Sequence, residues 1–196
     1  MTSVRRHIIG SYITTISISY MPYPEQLVHP MREELTRSGV KELRNASDVE
    51  TAFSESDERT RLLIINSVCG CAAANARPAV ILSQQASTLP DEFVTVFAGQ
   101  DLDATNQART YLAGIPPSSP FIALFKGTEP VFVLERRHIE GRSASAIAMD
   151  LVQSYDQFCA NGNGQEAATN GASEGEESND DSFGGDSLPP TFKSIL

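Results

Sequence analysis

Apolar positions change period several times along this chain, and each change marks an element. Leu27, Val28, Met31 and Leu35 recur at helical spacing up to Gly39. The spacing predicts a helix over residues 24–38, capped by that glycine, with Pro30 kinking it or opening its second half. Ser47 and Glu50 form a capping-box pattern ahead of a short helix whose apolar face is Val49 and Phe53. After a polar stretch over 54–60 comes Leu62-Leu63-Ile64-Ile65, an unbroken run of the kind found in a strand buried on both faces, and it leads straight to Cys69. From Cys71 to about Ala86 the chain is alanine-rich and predicts a helix bent at Pro78. Then follow a strand over Phe93–Ala98, a helix over Asp103–Leu112 ended by Gly114, and strands over Phe121–Phe125 and Val131–Leu134 joined through Gly127-Thr128-Glu129. A final helix opens at Ser143, with Ile147, Leu151, Tyr155 and Phe158 on one face.

Strand, helix, strand and helix, then a strand hairpin and a closing helix, make a βαβ unit followed by ββα. That order describes the thioredoxin fold: an α/β class with a central mixed sheet, flanking helices and here an N-terminal helical addition. Three regions are expected: an N-terminal extension over 1–20, a thioredoxin-like domain over 21–159 and an acidic tail over 160–196. In the extension, Arg5 and Arg6 precede several isoleucines in the manner of a signal peptide, but interspersed serines and threonines break the apolar run and no small-residue cleavage site follows. Met21 is an alternative start. Beyond Ala160, Gly, Asn, Ser, Glu and Asp replace apolar residues, so the composition predicts disorder, apart from a more hydrophobic stretch over Leu188–Leu196.

Charge sharpens the division. Seven acids after Cys159 against Lys193 alone put −6 of the net −10 in the tail. A mildly acidic body without a Lys/Arg cluster lacks the footprint that binding a phosphate backbone requires, so no nucleic-acid partner is expected. Nor does any apolar run reach the roughly 20 residues of a spanning helix, so no membrane partner is expected. Three cysteines, two of them one residue apart, are not the even set that staples a secreted domain; a reducing, cytoplasmic compartment is predicted.

The chemistry concentrates at Cys69-Gly70-Cys71. A sulfur placed where a buried strand gives way to a helix meets unpaired N–H groups and the positive end of the helix dipole, both of which favour the thiolate. A lone cysteine there is often a small packing residue; a second one a glycine away argues for redox chemistry. Three consecutive Cα atoms span at most about 7 Å, near the limit for a disulfide, so closing the ring needs a sharp bend, which Gly70 permits. So small a ring is expected to be strained and easily reduced. Ser119-Pro120, directly before a strand, stands where a thioredoxin fold carries its cis-proline, leaving the backbone of Ser119 to pair with a substrate chain.

Several segments, in order, resemble the bacilliredoxin family. They are residues 21–28, 30–35, Asn66-Ser67-Val68-Cys69-Gly70-Cys71-Ala72-Ala73, Ala76-Arg77-Pro78-Ala79, 94–101, Pro117-Ser118-Ser119-Pro120 and Ile139-Glu140-Gly141-Arg142. The resemblance covers roughly residues 21–159 and is far more specific than a bare CxC. It implies a thioredoxin-like enzyme that removes bacillithiol from mixed disulfides on oxidised client proteins, restoring their cysteines after oxidative stress. It implies no tightly bound cofactor, bacillithiol as thiol co-substrate, and a bacillithiol disulfide reductase as a further partner. By this carry-over Cys69 is the attacking thiolate and Cys71 resolves or modulates it, while Gly70, Ser119 and Pro120 contact substrate. A cysteine at the end of the last helix is matched by Cys159.

Arg77, two turns along the active-site helix, is a candidate partner for a bacillithiol carboxylate, set against the ordinary reading of a solvated helix arginine. His138, Glu140 and Arg142 either line the same edge or form a solvated capping loop; Asn66 and Ser67 are expected to hydrogen-bond around the site. Three other readings of the site stand beside the first. One is a general protein disulfide reductase or isomerase. A second is a CxC metal site, although two sulfurs are too few for a closed zinc centre and His7, His29 and His138 are scattered. The third is a non-catalytic peptide-binding module.

Overall fold

The computed structural model describes residues 23–54 and 58–160. The expected extension and the tail beyond Ala160 lie outside them. Along β2 (Thr60–Asn66) every residue is buried. Leu62 and Ile64 point into one core, Leu63 and Ile65 into another, as the two-residue strand period requires. An unbroken apolar run therefore lies at the centre of a five-stranded sheet of order β1-β3-β2-β4-β5. β1 (Lys41–Glu42) and β3 (Glu92–Phe97) run parallel to β2, joined in the ladder as β1 to β3 and β3 to β2; β4 (Phe121–Lys126) is antiparallel to β2, and β5 (Glu129–Leu134) antiparallel to β4.

Helices cover both faces. Leu35 of α1 (Glu25–Thr36), Ala79 and Val80 of α3 (Arg77–Ser83), and Ile147, Leu151 and Tyr155 of a long C-terminal helix fill the core beneath Leu62 and Ile64. Opposite them, Val49 of α2 (Ala46–Ala52) and Ala104 and Ala108 of α4 (Leu102–Thr110) pack against Leu63, Ile65 and Phe121. The sheet order, with its two crossovers and its closing hairpin, is that of the thioredoxin fold, and the expected class stands. A short helix α5 (Arg136–Ile139) links β5 to α6 (Ala144–Phe158), and Ser143 caps α6 by accepting from the Ala146 N–H.

Two local expectations are corrected. Asn45, not Ser47, caps α2: its Oδ1 accepts from the Asp48 N–H at 2.9 Å, so Ser47 already lies inside the helix. Both residues fit the cap composition, and the extended backbone of Asn45 decides between them. Of the two readings of Pro30, a helix opening there falls, since α1 already runs through it. In the active-site helix the irregularity is a π-helical turn over Ala72–Ala76, directly ahead of Pro78, whose missing N–H falls where the hydrogen-bond ladder has shifted. The two-residue β1 is too short to produce an alternating pattern and has no sequence counterpart.

Candidate active site

The site is assembled at the carboxyl end of β2. That strand ends at Asn66, and helical backbone begins at Gly70, with the Ala72 and Ala73 N–H groups donating to the Cys69 carbonyl at 3.1 and 3.2 Å. Strand register brings the second segment alongside. Phe121 pairs with Ile65, so the buried Pro120 before it stands next to the end of β2. The Ser119–Pro120 peptide is cis.

Cys69 and Cys71 are free thiols with their sulfurs 2.6 Å apart. Burial opposes ionisation of Cys69. It is outweighed by donation from the Cys71 thiol, by the Ser67 hydroxyl at 3.3 Å, by the Ala72 N–H at 3.4 Å and by the charge of Arg136, so Cys69 lies below the ordinary thiol range. Cys71 moves the other way. Burial raises it first, and its hydrogen bond to Cys69 and repulsion by that sulfur's charge raise it further. Of the two sulfurs, Cys69 is thus the one more easily ionised.

Gly70 is exposed; a Cβ there meets nothing within 4 Å, and its φ is not in the left-handed region. In this dithiol form neither space nor backbone demands glycine. What it leaves is bare backbone beside the nucleophile. Asn66 and Ser67 do surround the site as expected: Asn66 Oδ1 accepts from the Ser67 N–H at 2.8 Å and from Arg77 at 3.1 Å, and Asn66 Nδ2 donates to the Met31 carbonyl at 3.3 Å.

Arg77 departs from its expected surface role. It is 1% exposed, its guanidinium is held by the Glu34 carboxylate, and it also donates to Asn66 Oδ1 and the Ser67 carbonyl. An arginine so enclosed cannot reach a carboxylate in solution; it braces the loop that carries Ser67 and Cys69. His138 and Arg142 follow the bland reading. The imidazole Nδ1 accepts from the Glu135 N–H at the start of α5, and Arg142 ties the His138 carbonyl to Asp150 and Ala146. Its own carbonyl accepts from Asn75 on the active-site helix.

Arg136 is a site residue that sequence reasoning missed. It is exposed, pairs with Glu140 at 3.2 Å, and raises the charge complementarity of both sulfurs, while its N–H donates to Ser118 Oγ in the cis-proline loop at 3.2 Å. The available signal was a basic pair, Arg136-Arg137, directly before the Ile139-Glu140-Gly141-Arg142 motif. Cys159 lies at the other end of the sheet. It is held by Thr60 at the start of β2, about 20 Å along that strand from the catalytic end, and burial raises it above the ordinary thiol range. Within one chain it is out of reach of Cys69. No group of three or more His, Cys, Asp or Glu residues among the described residues is placed to hold a metal ion.

A sulfur pair so polarised trades partners with a third sulfur, and the protein is a thiol-disulfide oxidoreductase. Residues 23–159 match the family model described as "Disulphide isomerase". Two proteins of Salinibacter ruber named "Bacilliredoxin" are 53% and 51% identical over 176 residues, which span 89% of this chain and 99% of each relative. A bacilliredoxin of Halalkalibacterium halodurans is 49% identical over 144 residues, 74% of this chain and 99% of the relative. This chain belongs to the bacilliredoxin family. Among solved structures, oxidised thioredoxin of Plasmodium falciparum overlays 59% of this chain and 97% of its own with 15% identity and a TM-score of 0.42.

Proposed function

We propose that this protein removes bacillithiol from mixed disulfides on oxidised client proteins. The reading is carried by the opposed ionisation of Cys69 and Cys71 across a 2.6 Å contact in a bacilliredoxin-family chain. The Cys69 thiolate attacks the bacillithiol sulfur of the client disulfide. The client thiolate leaves and takes up a proton, and bacillithiol is now disulfide-bonded to Cys69. Two routes release bacillithiol from Cys69, and the first leaves a disulfide that further low-molecular-weight thiol must reduce before the next turnover. In one, Cys71 loses its proton and attacks the Cys69 sulfur, closing a Cys69–Cys71 disulfide and expelling bacillithiol. In the other, a second bacillithiol attacks the bound one and leaves as bacillithiol disulfide, which a dedicated reductase returns to thiol. The exposed backbone at Gly70 and the Ser119-Pro120 turn receive the client chain; the setting is the cytoplasm, with no tightly bound cofactor.

The decisive test incubates full-length protein with a model protein carrying one bacillithiol mixed disulfide and follows both by intact mass. Cys71→Ser should accumulate bacillithiol on Cys69, and Cys69→Ser should release none. An unmodified Cys69 in folded protein, with the client still bacillithiolated, overturns the proposal. A second reading, general disulfide exchange between protein thiols, is favoured by the description of the matched family model as a disulphide isomerase. Recovery of activity from scrambled ribonuclease, with no bacillithiol present, measures it directly.

A further inference from the structure

A cavity of about 310 Å³ opens between the end of α4 and the loop that leads into the cis-proline. Its walls are mostly apolar, with Ile65, Leu112, Ile115 and Phe121 among them, and its rim includes Pro117 and Ser118. The volume lies at the low end of the roughly 300–1,000 Å³ that small-molecule sites occupy, enough for one large side chain and its neighbour. Arg109, in the last turn of α4, also lines it. The Arg109 Nε is buried without a hydrogen-bond partner, and among the described residues the side chain has no ion pair. Arg32 Nε is likewise buried without a hydrogen-bond partner, but that arginine is ion-paired to Glu25, Glu42 and Asp101, as Arg61 is to Glu92 and Arg77 to Glu34, whereas Arg109 is half-buried.

A position near a helix C-terminus accounts for a positive charge there but not for a half-buried arginine without an ion pair on the wall of an apolar cavity. The guanidinium fork is shaped for a carboxylate. We infer that this cavity is a client-recognition site, selective for a segment that sets an aliphatic or aromatic side chain next to an aspartate or glutamate close to the reacting cysteine. The inference rests on the proposed exchange of client disulfides at Cys69. Placement supports a protein client over the low-molecular-weight thiol. The cavity shares Ile65 with the strand that leads to Cys69 and shares its rim loop with Pro120, so a chain tethered at Cys69 and crossing that loop brings its flanking residues to the mouth.

The test uses three peptides, each with one cysteine as the bacillithiol mixed disulfide, flanked by Leu-Asp, Leu-Asn or Leu-Lys. The full chain should process the aspartate peptide roughly tenfold faster in kcat/KM than the asparagine peptide, the range set by one charge-assisted hydrogen bond. Arg109→Gln should bring that ratio close to one, and Arg109→Glu should turn the preference toward lysine. A wild-type ratio near one, or a ratio unmoved by both substitutions, overturns the inference while leaving the proposed function standing. If no peptide is processed at all, the proposed function falls. The site is then judged by the affinity of serine-for-cysteine peptides for full-length Cys69→Ser protein, where an aspartate preference lost in Cys69→Ser/Arg109→Gln supports it and equal affinities overturn it.

Discussion

At the scale of single residues, reactivity follows from who donates to whom. Cys69 receives hydrogen bonds from Cys71, Ser67 and the Ala72 N–H, and each is worth more to a thiolate than to a thiol. Iodoacetamide alkylation resolved by peptide mass should therefore rise with pH first at Cys69, at a midpoint below the roughly 8.5 of an unperturbed thiol. Cys71 should follow at a higher pH. Cys71→Ala removes the strongest donor and should shift the Cys69 midpoint upward; a midpoint that stays put shows that the sulfur contact does not govern ionisation. Stability carries the same sign. Because folding lowers Cys69, its contribution is present above the unfolded thiol value and fades as pH falls through the folded one. The CxC pair was legible in sequence because spacing and position require no tertiary knowledge. The charge of Arg136 was not, since only the fold carries residue 136 across to residues 69 and 71.

At the scale of elements, the loop after β2 is held from outside. Arg77 on α3 spans Glu34 on α1, Asn66 at the strand end and the Ser67 carbonyl, so two helices and a strand meet at one guanidinium. Removing one partner of a buried pair strands the rest. With Glu34 still 44% exposed and so partly solvated, Arg77→Met should cost about 2–3 kcal/mol in urea unfolding. It should also raise the Cys69 alkylation midpoint, because Ser67 loses its anchor. A stability loss without that shift reduces Arg77 to packing. The corrected cap of α2 is tested similarly. Asn45→Ala should cost about 1 kcal/mol, while Ser47→Ala, inside the helix, should gain a few tenths, the reverse of what the capping-box pattern predicts.

At the scale of the whole molecule, the two faces of the sheet are filled independently, and the face bearing α3 and α6 contains a polar tie. The Tyr155 hydroxyl lies 2.9 Å from Ser83 Oγ, fully buried between these helices. Burial raises the phenol well above its ordinary value. Folding thus favours the neutral form, and this contribution is intact below the unfolded phenol value of about 10 and is lost as pH rises beyond it. Urea midpoints should fall with pH above about 10 in the wild type. In Tyr155→Phe that alkaline fall should flatten, and at neutral pH the loss of the hydrogen bond should cost about 1 kcal/mol. An alkaline limb of equal slope in both proteins assigns the effect to other groups.

Sequence alone determined the order of the elements other than β1 and α5, the central buried strand and the sulfur pair at its end, because these depend on local periodicity, on composition and on residues two positions apart. β2 announces its burial by four consecutive aliphatic residues, and Cys69 follows it in the chain. Only the tertiary structure decided the partners. The burial of Arg77 against Glu34, the action of the Arg136 charge on the thiols, the placement of Arg109 beside the cavity and the remoteness of Cys159 depend on distances between residues far apart in sequence. No local pattern encodes those distances, since they arise from how the helices pack on the sheet.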